Sequence, residues 1–275
     1  MMASSTEVDT INVAIGLPAD EWANTTKRAE FKKYILPEGE VSVKIKKDSA
    51  SDPVTKKFNI GRKYVFPESI GALFSDEMYD LIEPTTITGV IDIGNLNLNA
   101  TYWQGTELVQ DKSVTEEMGG AILIQNLSQA LEDKICLCDD MITANVLKSK
   151  DKKLPVGFGI TEEQAEKSKV IVKSILKSHA QEVRRFCDKK KWPLNVMRVV
   201  AIGGTSKDIE EELKESFSNI VVLSNSEFCN VLGFLRILCA QDPSLGIEIS
   251  LSGKPKESAP AKDAKDDKKE TRKAS

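Results

Sequence analysis

The chain has 275 residues, of which 40% are hydrophobic and 29% are charged, and its formal net charge is −4. This composition is typical of a globular protein with a sizeable core, and the weakly acidic charge argues against direct binding to nucleic acid. No run of about 18 apolar residues could span a membrane, and the first residues lack the basic and apolar regions of a signal peptide. We therefore expect a cytoplasmic protein that binds neither DNA nor a membrane directly.

The first part of the chain predicts a strand, two helices and a hairpin. Residues 11–17 form an apolar run that is typical of a buried strand, and a helix is expected after it through Tyr34. Residues 41–64 alternate apolar and polar side chains around a turn at residues 49–53, as in a hairpin with one solvent-exposed face. We expect the second helix over residues 67–81.

The next segment predicts a hairpin and an apolar helix. Residues 88–93 read as a buried strand that carries Asp92 near its end, and residues 98–103 return as a second strand. Gly119 and Gly120 then introduce a strongly apolar helix. The hairpin thus presents an aspartate at its tip.

The last predicted elements alternate between helix and strand. A long helix is expected from about Thr161 to residue 190, because Thr161 begins a capping pattern. Residues 197–202 predict a buried strand, residues 207–217 a helix, and residues 220–224 a further strand. Strands that alternate with helices, together with hairpins, predict an α/β fold with a mixed sheet.

Two glycine turns are candidates for binding phosphate. A strand that ends in Asp92 and turns through Gly94 presents a carboxylate and bare N–H groups, which suit a Mg-phosphate. The second turn places Gly203, Gly204 and Thr205 before a helix, where a nucleotide can approach the backbone. Each turn can also be explained as an ordinary turn that binds no ligand. Neither turn matches the Walker A loop or the GxGxxG motif.

The cysteines and the histidine do not indicate a metal site or a catalytic site. The five cysteines have no regular spacing and predict reduced thiols. Cys136 and Cys138 lack a second ligand pair nearby, so a metal site is not expected there. The single histidine, His179, lies in a charged helical segment, where we expect it on the surface and outside any catalytic triad.

Five segments stand in the order in which actin-like ATPases carry their characteristic blocks. They are PESIGALF, GVIDIGNLNLNATYWQG, EMGGAILIQNL, VVAIGGTSKDIEEEL and NSEFCNVLGFLRI. Five blocks in the correct order are far more specific than any one of them, and the chain resembles this superfamily. It is most similar to ParM-like plasmid-segregation proteins, which also carry Pro-Glu-Ser at the first interdomain connection, as at Pro67, and Leu-Pro after an early strand, as at Leu17.

The resemblance implies an actin-like ATPase (ribonuclease H-like) α/β fold with mixed five-stranded-type sheets flanked by helices. Residues 1–82 would form the remaining part of domain I, and residues 83–250 domain II with a C-terminal helix that returns to domain I. The superfamily fold begins with a hairpin that bears a first phosphate-binding Asp-x-Gly, which nothing before Ile11 supplies. We therefore expect an incomplete first subdomain, and the charged composition of residues 251–275 predicts a disordered tail.

The resemblance also implies a site for ATP and Mg. Glu68 would position or activate the attacking water, and Asp92 would hold Mg or its water shell near the phosphates. The remaining implied contacts are to the phosphates through Gly94 and Asn95, to the adenosine through Gly203, Gly204 and Thr205, and, by a looser match, through Gly119 and Gly120.

Two functions of different classes remain open from the sequence. The first is an ATP-hydrolysing protein that forms filaments and segregates plasmid or phage DNA through a DNA-bound adaptor. The second is a fragment or regulatory partner that binds nucleotide poorly and co-assembles with a complete actin-like filament protein, as the missing first phosphate loop suggests. A third hypothesis is a sugar kinase or a heat-shock-type chaperone. The short length and the lack of a substrate-binding β domain disfavour the chaperone.

Overall fold

The computed structural model describes residues 10–35, 38–48, 52–157 and 159–241. Most of the predicted turn at residues 49–53 and the whole predicted tail lie outside the described residues. Helices surround two sheets, one of three strands and one of six, so the expected α/β architecture is confirmed. None of the helices in the described ranges is long and apolar enough to cross a membrane.

The smaller sheet contains β1 (Thr10–Leu17), β2 (Glu40–Ile45) and β3 (Val54–Pro67). Its order is β1-β3-β2, with β1 parallel to β3 and β2 antiparallel to it, which confirms the predicted strand and hairpin. Helices α1 (Ala19–Ala23) and α2 (Thr25–Ile35) follow β1. The smaller sheet contributes no residue to either hydrophobic core cluster of the described chain.

The larger sheet carries the main core. Its path β6-β5-β4-β8-β9 is mixed, with β7 paired to β5. β4 is antiparallel to β5 and parallel to β8. Its strands are β4 (Ile87–Ile93), β5 (Leu98–Gln104), β6 (Glu107–Leu108), β7 (Val114–Glu116), β8 (Arg198–Ile202) and β9 (Ile220–Val222).

Both faces of the larger sheet are covered, which explains why β4 and β8 read as continuous apolar runs. On one face Ile91 and Ile93 pack in a large cluster with side chains of the helices, whereas Val90 packs in a smaller cluster on the other face. The α-helices between β5 and β9 are α4 (Gly120–Lys134), α5 (Asp140–Lys148), α6 (Glu162–Lys189), α7 (Gly204–Asp208) and α8 (Glu210–Ser216).

The long helix α6 confirms one prediction and corrects another. Thr161 and Gln164 form the expected reciprocal capping box at its start. The expectation that His179 lies on the surface is wrong, because this residue is only 7% exposed. It lies on the same buried face of α6 as Leu176 and Val183, and the helical period of the apolar positions places it there.

The segment between β3 and β4 links the two sheets, and the last described helix packs across it. The helix predicted over residues 67–81 is shorter, because α3 covers only Ile70–Leu73 and a single 3-10 turn follows at Tyr79–Leu81. Helix α9 (Cys229–Gln241) packs across α3 and also contacts β1. Arg236 of α9 donates to the Phe74 carbonyl oxygen over 2.7 Å, which occupies the end of α3 and helps to explain why that helix stops.

Candidate functional site

Two carboxylates lie where the two sheets meet. Glu68 follows the last residue of β3, and its backbone N–H donates to the Leu17 carbonyl of β1 over 2.8 Å. Asp92 is the penultimate residue of β4 and is 7% exposed, whereas Glu68 is half-buried. The ends of three strands thus hold both candidate catalytic residues.

Asn99 contacts Glu68 and lies opposite Asp92 in the hairpin. It pairs directly with Asp92 in the β4–β5 register, and its Nδ2 donates to Glu68 Oε2 over 2.7 Å. Thr115 donates its hydroxyl to Asn99 Oδ1 over 2.8 Å, so the amide is oriented with its N–H groups toward Glu68. The Thr115 hydroxyl also lies 3.2 Å from Asp20 Oδ1 of α1, which brings a further acid to the edge of this network.

Asn230 of α9 holds the second carboxylate. Its Nδ2 donates to Asp92 Oδ2 over 2.7 Å, and its Oδ1 accepts the Ser69 backbone N–H over 2.9 Å. Ser69 adopts a left-handed backbone with φ of 76° and is fully buried. Each carboxylate therefore has its own asparagine partner.

Burial perturbs the pKa values of both carboxylates. Burial raises the pKa of Asp92 to about 6, and the charge of Glu68 adds to this shift while the hydrogen bond from Asn230 opposes it. Burial also raises the pKa of Glu68, partly offset by the Asn99 bond and reinforced by Asp20 and Glu21. Neither Glu68 nor Asp92 forms an ion pair with a basic side chain of the described residues.

The glycine turns predicted from the sequence come together beside Asp92. The Gly120 N–H donates to the Gly94 carbonyl over 2.9 Å, and the Ala121 N–H donates to the Asn95 carbonyl over 2.8 Å. From the other side, the Thr205 hydroxyl donates to the same Gly94 carbonyl over 3.0 Å. The hairpin tip, the start of α4 and the start of α7 therefore form one connected loop cluster.

Three of these glycines are required by packing within the protein. A Cβ on Gly203 would lie 2.3 Å from the Ile93 carbonyl oxygen, and its φ of 91° already disfavours any other residue. A Cβ on Gly119 would lie 2.5 Å from the Asn95 carbonyl oxygen, and one on Gly120 would lie 2.5 Å from Thr205 Oγ1. Their missing side chains allow the loops to touch each other.

Gly94 and Gly204 differ, because the described residues leave the space at their Cβ positions unfilled. The nearest atom to a Cβ on Gly94 would be the Asn97 carbonyl oxygen at 3.4 Å, and for Gly204 it would be Glu227 Cγ at 3.7 Å. Both glycines are half-buried, and Asn95 beside Gly94 is exposed. These positions form the part of the loop cluster that a ligand can approach.

The structure brings all the predicted site residues into two adjacent groups, the carboxylates and the loop cluster, which β4 connects through Asp92 and Gly94. The sequence alone did not predict the roles of Asn230, Thr115 and Asn99. A usable signal existed for Asn230, which is the only Asn in the otherwise apolar start of α9. A polar side chain at such a position needs a buried partner.

Comparison with known proteins identifies the fold. No family model matches the chain, and no curated protein matches it significantly in sequence. Several solved structures match it over most of its length at low sequence identity. The archaeal actin homolog Ta0583 in complex with ADP superposes with a TM-score of 0.65 at 19% identity, covering 87% of this chain and 74% of that one.

Two ParM structures are similar to a comparable degree. A 15-stranded ParM filament from Clostridium botulinum gives a TM-score of 0.62 at 19% identity, covering 82% of this chain and 65% of that one. Bacillus thuringiensis ParM with ATP gives 0.60 at 13% identity, covering 85% of this chain and 69% of that one. The chain therefore has the actin-like fold that its sequence blocks imply.

Proposed function

We propose that the chain binds ATP with Mg²⁺ between the two carboxylates and the loop cluster, and that it forms filaments whose turnover depends on ATP hydrolysis. The observation that carries this proposal is the placement of Asp92 beside Glu68 and two residues before the approachable backbone of Gly94. Carboxylates and bare backbone in one place suit a Mg-phosphate.

The residues fit a hard divalent cation that is held mainly by phosphate and water. Mg²⁺ in nucleotide sites is bound through one or two carboxylates, and the substrate phosphates supply further ligands. No group of three or more His, Cys, Asp or Glu side chains in the described residues could form a cage for a metal. Asp92, held ionised in part by Asn230, would hold the ion or its water shell, and the bound ion would neutralise phosphate charge.

Glu68 is the proposed residue that orients the attacking water. Its Oε2 is fixed by the Asn99 amide, so its other carboxylate oxygen remains for a water molecule. Burial raises its pKa, which brings a carboxylate closer to the range in which it can accept a proton from water near neutral pH. Glu68 would therefore hold and deprotonate the water, or orient it as phosphate charge develops.

The loop residues divide into those that would contact nucleotide and those that support the loops. Gly94 and Asn95 would approach the phosphates, and Gly204 would lie against the adenosine. Thr205 already gives its hydroxyl proton to the Gly94 carbonyl, so we assign it to joining the two turns beside the adenosine. The remaining glycines of the predicted site, Gly119, Gly120 and Gly203, would act by allowing the loops to pack.

The proposed biological role is segregation of plasmid or phage DNA in the cytoplasm. Self-association into filaments is supported by the likeness to a ParM filament, and contact with DNA would pass through an adaptor protein. The weakly acidic chain offers no electrostatic reason to bind DNA itself.

A second candidate function is a partner that co-assembles with a complete actin-like filament protein and binds nucleotide poorly. The smaller sheet favours it, because among the described strands β1 pairs on one side alone, with β3. An edge strand with unpaired backbone groups can accept a strand from another chain. Co-assembly would complete this sheet beside Glu68.

Light scattering and phosphate release, followed together after addition of ATP and Mg²⁺, distinguish the two candidates. The first candidate predicts scattering that rises with ATP and decays as phosphate accumulates. The second predicts neither signal from the chain alone, and a change in the scattering of a complete ParM-like protein when the chain is added. Absence of every one of these signals would reject both.

A further inference from the structure

We propose that Asn230 is a positioning residue that holds Glu68 and Asp92 in one fixed geometry, an inference that rests on the nucleotide site proposed above. Asn230 is the second residue of α9 and is half-buried. Both polar atoms of its side chain are engaged by protein groups. It therefore acts through its two partners and not by touching phosphate or water.

The Asn230 side chain is a bridge between three segments that are far apart in the sequence. One end of its amide donates to Asp92 on β4, and the other end accepts from the Ser69 backbone, which directly follows Glu68. These contacts measure 2.7 and 2.9 Å, which is ordinary hydrogen-bond length. An amide can donate and accept at the same time, whereas an ionised carboxylate can only accept.

Ser69 needs this partner because its backbone is strained. A φ of 76° is uncommon for a residue other than glycine, and it persists only when the surroundings fix it. The Ser69 N–H is fixed by Asn230 Oδ1, while the Glu68 N–H is fixed by the Leu17 carbonyl. The direction in which the Glu68 side chain leaves the backbone therefore depends on Asn230.

The position of Asn230 is itself fixed by backbone packing. A Cβ on Gly71 would lie only 2.4 Å from the Asn230 Cα, so α3 and α9 touch without intervening side chains. This contact leaves Asn230 little room to shift relative to Ser69. A rigid support of this kind is what a positioning residue requires.

The expected consequence is a loss of turnover with little loss of nucleotide affinity. Displacement of a catalytic group by about 1 Å can cost roughly 100-fold in rate, even when the substrate still binds. Because Asn230 contacts no ligand in the proposed site, its replacement would change kcat much more than KM.

Three variants of the full chain test the proposal. Asn230→Leu removes both hydrogen bonds at similar size, and Asn230→Asp keeps an acceptor for Ser69 but replaces the amide donor to Asp92 with a second carboxyl group. The matched control is Val231→Ala, on the next residue of the same helix, whose side chain is 58% exposed. Thermal unfolding establishes that each variant is folded at the assay temperature.

Two measurements are made on each variant. We expect kcat for ATP hydrolysis to fall at least tenfold in both Asn230 variants, with KM within about threefold of the original chain and the control unchanged. Amide exchange followed by NMR should accelerate at Ser69 in Asn230→Leu, at least tenfold, and remain slow in Asn230→Asp. Neighbouring amides of α3 should keep their protection.

The outcomes separate this proposal from the proposed function. Folded Asn230 variants that keep their kcat would overturn the positioning role, as would equal exchange at Ser69 in Asn230→Leu and the original chain. If the original chain hydrolyses no ATP, the proposed function fails and the positioning role in catalysis fails with it. The rate of amide exchange at Ser69 then shows, independently of activity, whether the Ser69 N–H is held by Asn230.

Discussion

Gly71 and Gly233 touch backbone to backbone where α3 crosses α9. A Cβ on Gly233 would lie 2.3 Å from the Gly71 Cα, a distance that no side chain can accommodate. The crossing joins the segment between β3 and β4 to the last described helix. It also places the start of α9 against Ser69, and with it the amide that reaches Asp92.

We predict that Gly233→Ala lowers the free energy of unfolding by about 1 to 3 kcal/mol, because the new methyl group must push the two helices apart. Chemical denaturation monitored by circular dichroism measures the change. Gly204→Ala is the matched control, since its Cβ would meet nothing closer than 3.7 Å. Equal destabilisation by the two substitutions would contradict the crossing as described.

The glycines of the loop cluster should respond in two different ways. Gly119→Ala should destabilise the fold by about 1 to 3 kcal/mol, because its Cβ would lie 2.5 Å from the Asn95 carbonyl oxygen. Gly94→Ala should leave the unfolding transition nearly unchanged and weaken binding of Mg-ATP, because its Cβ would enter space left to the ligand. Unfolding curves and a binding titration on both variants separate the effects, and a Gly94→Ala variant that binds normally would contradict the assignment.

Glu68→Gln should abolish most phosphate release while nucleotide binding persists. Removal of a general base typically costs between about 100-fold and 10,000-fold in rate, and the isosteric amide keeps the shape of the site. A phosphate-release assay at saturating ATP measures the loss. Glu117→Gln, an exposed position, is the control and should keep the original rate.

Asp92 should make the ligand-free chain less stable as the pH rises. Its pKa of about 6 in the folded chain lies above the ordinary aspartate value of 3.8, so the folded state favours the protonated form. This contribution is fully present below the pKa of the unfolded chain and is lost as pH rises through about 6, at a cost on the order of 3 kcal/mol. Without nucleotide or Mg²⁺, Asp92→Asn should therefore stabilise the chain at pH 8 and make little difference at pH 4. Asp80→Asn, an exposed carboxylate, is the control, and a pH-independent effect of Asp92→Asn would contradict the raised pKa.

The contribution of His179 to stability should change with pH in the opposite direction, over nearly the same pH range. Burial lowers its pKa from 6.5 to about 4, so the unfolded chain binds more protons between these values. The stabilisation from the neutral His179 is present above pH 6.5. It is lost toward pH 4, and the loss is on the order of 3 kcal/mol. His179→Leu should remove this acid sensitivity, and urea unfolding at pH 4.5 and 7.5 measures it. The same pH difference in both chains would contradict the buried, neutral histidine.

Local patterns in the sequence were sufficient for strands β4, β5, β8 and β9 of the larger sheet and for the glycines of the loop cluster, whereas the short strands β6 and β7 were not predicted. The apolar runs of β4 and β8 are continuous because both faces are buried, and the glycines that follow them are visible in the sequence. Long-range contacts explain the misses. The short α3 depends on α9, and the Asn230 partners lie 138 and 161 residues away along the chain. His179 was misplaced because charged neighbours obscured a helical stripe that its spacing already contained.

Calorimetric titration of Mg-ATP into the full chain and into Asp92→Asn tests the central claim most directly. We predict saturable binding by the original chain and binding at least tenfold weaker by the variant, because the carboxylate beside the phosphates is lost while the fold persists. No heat of binding at millimolar Mg-ATP, or equal affinity in the two proteins, would contradict the assignment of Glu68, Asp92 and the loop cluster as a nucleotide site.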